Sequence, residues 1–296
     1  MKQLSFLFTL LFYFQNIPAQ SPLFQEEIPL ELTMSADFTA FTSDRSLKAE
    51  YYPAKLTYTY DGKETDLPLK IKVRGRFRRD SLICNFPPIR MNFKKGKLPA
   101  PFQKQNKLKL VTHCREDETI LREYYVYKTF NLFTPKSFMV RLAKITYVDE
   151  GGKIPTETHY AFLIESEEHM AERNEANPVP EDIVVRKNQV NQLMLAKVHL
   201  FNYMISNHDF DVTVRQNIKI ISNGKSLPVA VPYDFDWAGI VAAPYTLQGN
   251  EKDHPYFLRR KFKKICINQE EWEKLIDTFN ERKDQIFGLY EQSPYL

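Results

Sequence analysis

Glycine is scarce in this chain, at nine of 296 residues, and no internal repeat is visible. These absences exclude a flexible linker protein and a repeat array. An excess of one charge is also absent, because 41 lysine and arginine residues against 37 acidic residues give a net charge of +4. Because the charges are so nearly balanced, they give no argument for a nucleic-acid partner, and no such partner is expected. Hydrophobic residues make up 43% of the chain, enough to fill one large domain or two lobes.

Long apolar runs are missing after the first residues. Lys2 is followed by an apolar run at residues 4–14 and by Ala19, which is the order of parts in a secretory signal peptide. We predict a signal peptide at residues 1–19 that is cleaved after Ala19, with an uncleaved anchor as the alternative. No later segment is apolar enough for a transmembrane span. The mature chain is therefore expected to be exported, to the periplasm or to the outside or surface of the cell.

Cysteine is limited to Cys84, Cys114 and Cys266. An exported chain with three cysteines can form one disulfide and keep one free thiol. Cys84 and Cys114 both lie beside strand-like runs and are the favoured pair. His113 precedes Cys114, but neighbours on a strand point to opposite faces, so no catalytic Cys–His pair is expected there.

The periodicity of apolar residues changes from strand-like to helix-like along the chain. It predicts strands at residues 30–34, 55–60, 67–73, 89–93, 107–112, 138–148 and 159–165, and helices at 118–132, 167–173 and 190–205, with a last helix from residue 268. Two prolines in N-P-V-P at 177–180 mark a boundary. We therefore predict a β-rich N-lobe at residues 20–178 and a helical C-lobe at residues 179–296.

Residues 206–237 carry the clearest chemical signal. Two strand-like runs there are flanked by two acidic pairs, Asp209/Asp211 and Asp234/Asp236. Asn223-Gly224 lies between the runs and is a strong signal for a two-residue hairpin turn, because both residues tolerate positive φ. Folding the hairpin would bring Asp209 and Asn217 close to Asp234 and Asp236.

Converging carboxylates repel each other unless a cation lies among them. Hard oxygen ligands suit Mg²⁺ or Mn²⁺, which commonly also bind phosphate oxygens. An Asp, a nearby Asn and a strand-borne Asp are also the order of parts in a kinase active site. We favour a metal-phosphate site for this set of residues. The alternative is that the acids form only solvated turns and helix caps.

Two patterns in the first half also suit phosphate. Arg74 and Arg76 flank a glycine at the end of a strand, where guanidinium groups can match phosphate oxygens. A solvated edge strand that uses charge against aggregation is the alternative. Lys109 on a strand and Glu123 on the next helix match the pair that orients a lysine onto phosphates in kinases. An ordinary surface lysine and helix charge are the alternative for that pair.

Taken in order, these elements resemble the spore-coat CotH kinase family, whose members are secreted or surface-associated and belong to the protein-kinase-like superfamily. The matching pieces are V-R-G-R (73–76), F-P-P-I-R-M-N-F (86–93), K-L-K-L-V (107–111), L-R-E-Y (121–124), F-L-I-E (162–165), N-H-D (207–209), Q-N-I-K-I-I (216–221) and P-Y-D-F-D-W (232–237). Together they span most of the mature chain.

The resemblance implies an α+β, two-lobed protein-kinase-like fold, with a mainly antiparallel β N-lobe and a mainly helical C-lobe. It also implies a role for each matching residue: Asp209, or else Asp211, as the catalytic-loop acid; Asn217 and Asp234 as metal ligands, with Asp236 in support; Lys109 and Glu123 as the lysine–glutamate pair; Arg74 and Arg76 near the nucleotide phosphates. The chain departs from kinases in lacking a G-x-G-x-x-G loop and in a longer interval between Asp209 and Asn217.

The sequence therefore predicts an exported atypical kinase that transfers phosphate from ATP, with Mg²⁺ or Mn²⁺, to a hydroxyl group of a protein, glycan or small molecule. The first alternative is a catalytically inactive kinase-fold protein that binds or assembles envelope components. The second is a hydrolase that uses the same acids and a metal ion.

Overall fold

The structure is a computed structural model that describes residues 21–94, 96–246, 260–263 and 265–296. The predicted signal peptide at residues 1–19 lies outside the described residues. The strands are β1 (Leu30–Ala36), β2 (Tyr52–Tyr60), β3 (Lys63–Val73), β4 (Ile89–Phe93), β5 (Lys107–Val111), β6 (Val140–Asp149), β7 (Glu157–Ile164), β8 (Asn177–Pro178), β9 (Ile218–Ser222) and β10 (Val229–Pro232). The α-helices are α1 (Phe38–Ser43), α2 (Glu118–Asn131), α3 (Glu167–Arg173), α4 (Gln192–Met204), α5 (Gln269–Glu281) and α6 (Lys283–Glu291).

Seven strands form a closed barrel in the order β1-β2-β3-β4-β5-β7-β6. Neighbouring strands are antiparallel, except that β1 pairs in parallel with β6 and so closes the barrel. The alternating pattern of β3 explains its position, because Leu67, Leu69, Ile71 and Val73 are buried while most of the residues between them are exposed. Such alternation puts one apolar face of each strand into the barrel core.

The predicted two-lobed kinase-like fold with a helical C-lobe is wrong. The chain is mainly a closed, mixed seven-stranded barrel, with a small sheet in the order β10-β9-β8 and a few helices beside it. One hydrophobic cluster combines residues of α2 with residues of α4 and β9, so parts of the chain before and after residue 178 share a core. Pairing between β1 and β6 joins distant segments, and the local periodicity used for the prediction carries no information on it.

The small sheet contains the predicted hairpin, with a different turn. Val229 of β10 pairs with Ile221 of β9, so the connection is longer than the two residues predicted. The Asn223 side-chain oxygen accepts hydrogen bonds from the backbone N–H groups of Lys225 and Ser226. This side-chain turn widens the loop, but it still brings the outer ends of β9 and β10 together.

No helix within the described residues is long and apolar enough to cross a membrane.

A disulfide joins Cys84, in the loop after β3, to Cys114, in the segment between β5 and α2. Both cysteines are buried, whereas Cys266 is free and exposed. The favoured pairing is therefore confirmed. The bond ties two connections on the same side of the barrel to each other.

Replacing both Cys84 and Cys114 by alanine is expected to lower the free energy of unfolding. The bond spans 30 residues, and closing a loop of that length restricts the unfolded chain by about 3–4 kcal/mol in the chain-entropy model. Urea unfolding followed by circular dichroism measures the change. Cys266→Ala is the matched control and should unfold like the parent; equal stability of the double variant and the parent would contradict the expectation.

Candidate active site

Polar side chains converge where the barrel meets α2 and the β9–β10 hairpin. They come from the end of β3, from β5, from α2, from the segment after α4 and from the end of β10. We call this set the polar cluster; its members are Arg74, Arg78, Lys109, Glu123, Asp209, Asn217, Asp234 and Asp236. Each member interacts with at least one other through charge or a hydrogen bond. All the predicted site residues except Arg76 and Asp211 therefore come together.

Asp234 connects the two halves of the polar cluster. Its backbone has a φ of +61°, a left-handed conformation that costs a non-glycine residue about 1–3 kcal/mol. The hydroxyl of Tyr127 on α2 accepts the Asp234 N–H at 2.7 Å and helps to hold this conformation. Within the described chain, neither carboxylate oxygen of Asp234 takes part in a hydrogen bond or ion pair. The carboxylate attracts the nearby charges of Arg74 and Lys109.

Asp209 is fixed by its neighbours at the other end of the hairpin. The Asn217 side-chain N–H₂ donates to the Asp209 backbone oxygen at 2.7 Å and to its carboxylate at 2.8 Å. The Gln216 side chain donates to the other carboxylate oxygen. Burial raises the pKa of Asp209, and the charge of Asp234 raises it further against these hydrogen bonds. The result is an oriented carboxylate that faces Asp234.

Asp211, the other candidate for the catalytic acid, has a different environment. Its carboxylate forms an ion pair with Lys187 at 2.8 Å. It also accepts hydrogen bonds from the backbone N–H groups of Thr213 and Val214. These partners are typical of an Asx turn, which stabilises the loop between α4 and β9.

Glu123 lies at the bottom of the polar cluster, with 0% of its surface exposed. Neither of its carboxylate oxygens has a hydrogen-bond partner among the described residues. Burial raises its pKa well above the usual value, as do the charges of Asp236 and Asp234, whereas Arg78 and Arg74 lower it. A buried carboxyl group without partners is costly, so this position points to a function rather than to stability.

The predicted ion pair between Lys109 and Glu123 does not form among the described residues. Lys109 instead lies over the ring of Tyr233, with 4.6 Å from its ammonium nitrogen to the ring centroid. Burial and the charge of Arg74 lower the pKa of Lys109 to about 8, while Asp234 acts in the opposite direction. Lys109 and Glu123 therefore each interact with Asp234 through charge.

The arginine-rich segment after β3 divides between the polar cluster and solvent. The side-chain Nε atoms of Arg74 and Arg78 are buried and have no hydrogen-bond partner among the described residues. Arg78 also donates to the backbone oxygen of Thr112. Arg76 is exposed, and no contact within the described chain joins it to the polar cluster. Arg78 belongs to the same run of spaced arginines that the sequence marks as suited to phosphate, but the predicted site includes only Arg74 and Arg76, because sequence alone cannot tell buried arginines of a basic run from exposed ones.

Asp236 is buried and interacts with Asp234 through charge. Burial and the charge of Asp234 raise its pKa to about 7, although its carboxylate accepts a hydrogen bond from the Tyr245 hydroxyl at 2.8 Å. Sequence analysis missed both Tyr245 and Tyr127. Tyr127 follows Glu123 by four residues on a helix, a spacing that puts both on one face and could have identified it. No local signal points to Tyr245.

The polar cluster combines unpartnered oxygens with unpartnered N–H groups. Glu123 supplies buried oxygens, and Arg74 and Arg78 supply buried N–H groups, that have no hydrogen-bond partner among the described residues; the Asp234 carboxylate acts on both arginines through its charge. A metal ion alone would be repelled by the arginines, and a phosphate alone would be repelled by the acids. A metal-bound phosphate carries both charges and therefore fits both sets of groups.

Comparison with models of protein families gives no match for this chain, and comparison with curated protein sequences gives none either.

Glu123→Gln is expected to stabilise the metal-free chain, and the gain should grow as the pH rises. Because folding raises the pKa of Glu123 above 4.5, the folded parent retains a proton that the unfolded chain has lost. The contribution of Glu123 to the stability of the parent is therefore fully present below the pKa that Glu123 has in the unfolded chain. This contribution is lost as the pH rises through the pKa that Glu123 has in the folded chain. Glutamine does not titrate, so the difference in unfolding free energy between Glu123→Gln and the parent should increase over this pH range.

Urea unfolding at about pH 5 and about pH 8, with a chelator present, measures this gain. Glu150→Gln, at an exposed position, is the matched control and should show the same pH dependence as the parent. If the unfolding free energies of Glu123→Gln and of the parent changed with pH by the same amount, Glu123 would be ionised and stably paired in the folded chain.

Proposed function

We propose that this chain is an exported, metal-dependent phosphotransferase, similar in its site residues to the CotH kinases, that transfers phosphate from ATP to a hydroxyl group. One observation carries the proposal: Asp209, Asn217 and Asp234 converge beside Lys109 and Arg74. Oxygen ligands and buried cations at one point are the requirements of a metal-bound polyphosphate. The proposal depends on these side chains and not on a kinase-like arrangement of lobes.

Each member of the polar cluster has a role that follows from its surroundings. Asn217 and Asp234 would hold Mg²⁺ or Mn²⁺, since the Asp234 carboxylate has no competing hydrogen bond within the described chain. Lys109 and Arg74 would contact phosphate oxygens, because both are cations turned toward Asp234. When bound, the metal ion would neutralise negative charge that develops on the phosphate groups.

Asp209 would act on the acceptor. Its carboxylate is oriented by Asn217 and Gln216 and has a raised pKa, which makes it a stronger base than an exposed aspartate. It would accept the proton of the acceptor hydroxyl while that oxygen forms a bond to the γ-phosphorus. The bond between the γ-phosphorus and the bridging oxygen breaks at the same time, and ADP leaves.

The Cys84–Cys114 disulfide supports the proposed export. Disulfides persist in oxidising compartments such as the periplasm or the cell exterior and are rare in the cytosol of most organisms. This agrees with a signal peptide at residues 1–19, which remains a proposal.

Calorimetric titration of the mature chain with ATP is expected to show binding that depends on Mn²⁺ or Mg²⁺. Asp234→Asn should abolish the metal-dependent part, because it removes the charged ligand while asparagine still tolerates the left-handed backbone at this position. Asp277→Asn, at an exposed position on α5, is the matched control and should bind like the parent. Absence of ATP binding with either metal would favour the inactive envelope-binding protein.

Asp209→Asn is expected to lower phosphate transfer by roughly a hundredfold or more, the usual contribution of a general base. Metal-dependent ATP binding should remain. Transfer from γ-labelled ATP to the chain itself and to an envelope extract measures the change. Release of labelled phosphate to water without any labelled acceptor would favour the hydrolase.

Asp211→Asn separates the two candidate acids. Because Asp211 is bound by Lys187 and by backbone N–H groups, its substitution should destabilise the loop but leave most of the transfer rate per folded molecule. A large loss of transfer in Asp211→Asn together with a normal rate in Asp209→Asn would assign the base to Asp211 instead.

A further inference from the structure

A second group of metal-binding side chains lies outside the polar cluster. His113 follows β5, while Glu157 and His159 lie on β7. Each offers one ligand atom, and these three atoms lie within 4.8 Å of one another. None of these residues has a role in the proposed phosphotransfer.

His159 is held in the way that metal-binding histidines usually are. Its Nδ1 lies 2.9 Å from a carboxylate oxygen of Asp117, and its Nε2 lies 3.3 Å from a carboxylate oxygen of Glu157. An acid on the far nitrogen fixes the ring so that the other nitrogen is available to a metal ion. Two ligand atoms on a tetrahedral zinc ion lie about 3.3–3.5 Å apart, from metal–ligand distances of about 2.0–2.2 Å. The spacing between His159 and Glu157 therefore suits a shared ion.

His113 supplies the second, independent observation. Only 7% of its surface is exposed, and its Nδ1 has no hydrogen-bond partner among the described residues. A buried polar atom without a partner calls for a ligand or another explanation. Burial lowers the pKa of His113 to about 3, and His159 and Arg78 act in the same direction.

The two histidine rings are stacked, with 3.7 Å between their centroids and 16° between their planes. Imidazole lone pairs lie in the ring plane, so the lone pairs of the two rings lie in nearly parallel planes and do not meet at one point. A shared ion therefore requires one ring to turn. Because Asp117 and Glu157 hold both nitrogens of His159, this turn falls to His113, which packs against Phe86 and whose Nδ1 has no hydrogen-bond partner among the described residues.

We propose that His113, Glu157 and His159 bind one divalent transition-metal ion of the zinc class, with Asp117 as the residue that positions His159. Two imidazoles and one carboxylate select such an ion over Mg²⁺, which prefers an all-oxygen environment. Asp117 is also the N-cap residue of α2. The ion would fasten β7 to the segment that leads into the helix on which Glu123 lies.

The test is a calorimetric titration of the untagged, metal-stripped mature chain with Zn²⁺ in excess Mg²⁺, so that Mg²⁺ competes for the polar cluster. We expect one Zn²⁺ per chain and a higher midpoint of thermal unfolding. His159→Ala and Glu157→Gln should each weaken the affinity at least tenfold. Asp117→Asn should weaken it about tenfold or more, as loss of an outer partner does.

Three controls keep the result specific. His169→Ala and Glu150→Gln remove one histidine and one acid from elsewhere, and both should bind Zn²⁺ like the parent. Asp234→Asn should also bind normally, which separates this site from the proposed ATP site. With Co²⁺, the parent should show the visible absorption of a tetrahedral ion, and His159→Ala should not.

The outcome that overturns the proposal is equal Zn²⁺ affinity in the parent, His159→Ala and Glu157→Gln. Failure of the parent to bind Zn²⁺ would overturn it as well. In either case the histidines would form only a stacked pair, with Asp117 and Glu157 as its hydrogen-bond partners.

Discussion

The accumulation of charge around Asp234 is the constraint on which the rest of the structure depends. Four carboxyl groups and three cations meet there, and several of their polar atoms have no hydrogen-bond partner among the described residues. Burial and the like charges close by raise the pKa of Glu123 and of Asp236. Two tyrosine hydroxyl groups help to hold these acids in place. The Tyr127 hydroxyl accepts a hydrogen bond from the Asp234 backbone N–H, and the Tyr245 hydroxyl donates one to the Asp236 carboxylate. The barrel and the hairpin act as the rigid frame that keeps these groups together.

Local elements of the fold could be predicted from the sequence, and their assembly could not. β4 and α3 begin and end where periodicity puts them, and α5 begins within one residue of the predicted start, behind a capping box formed by Asn268 and Glu271. Barrel closure depends on the parallel pairing of β1 with β6, two segments separated by four other strands in the chain. Hydrophobic alternation shows which face of a strand is buried, but it does not select the partner. The family resemblance therefore led to the wrong fold class.

The candidate site also has a part that local sequence predicts and a part that depends on tertiary packing. Asp209, Asn217 and Asp234 are joined by one hairpin, and a hairpin is a local structure with a sequence signal. The analogy that pairs Lys109 with Glu123 does not hold among the described residues, where Lys109 lies over the ring of Tyr233. The charges that act most strongly on Glu123 belong to Asp236, Asp234, Arg78 and Arg74. The burial that shifts these pKa values depends on tertiary packing, which no residue type reveals on its own.

The two proposed ligand sets in this chain differ in chemistry, and that difference would keep them independent. The polar cluster offers the oxygens of Asn217 and Asp234, which are hard ligands suited to Mg²⁺ or Mn²⁺. The second group offers the imidazoles of His113 and His159, which favour zinc-class ions. Two bonds connect the segment around His113 to the segment that carries Arg78. Arg78 donates a hydrogen bond to the backbone oxygen of Thr112, and a disulfide joins Cys114 to Cys84. An ion at His113 would thus stiffen the segment that positions Arg78 and α2, without competing for the oxygens around Asp234.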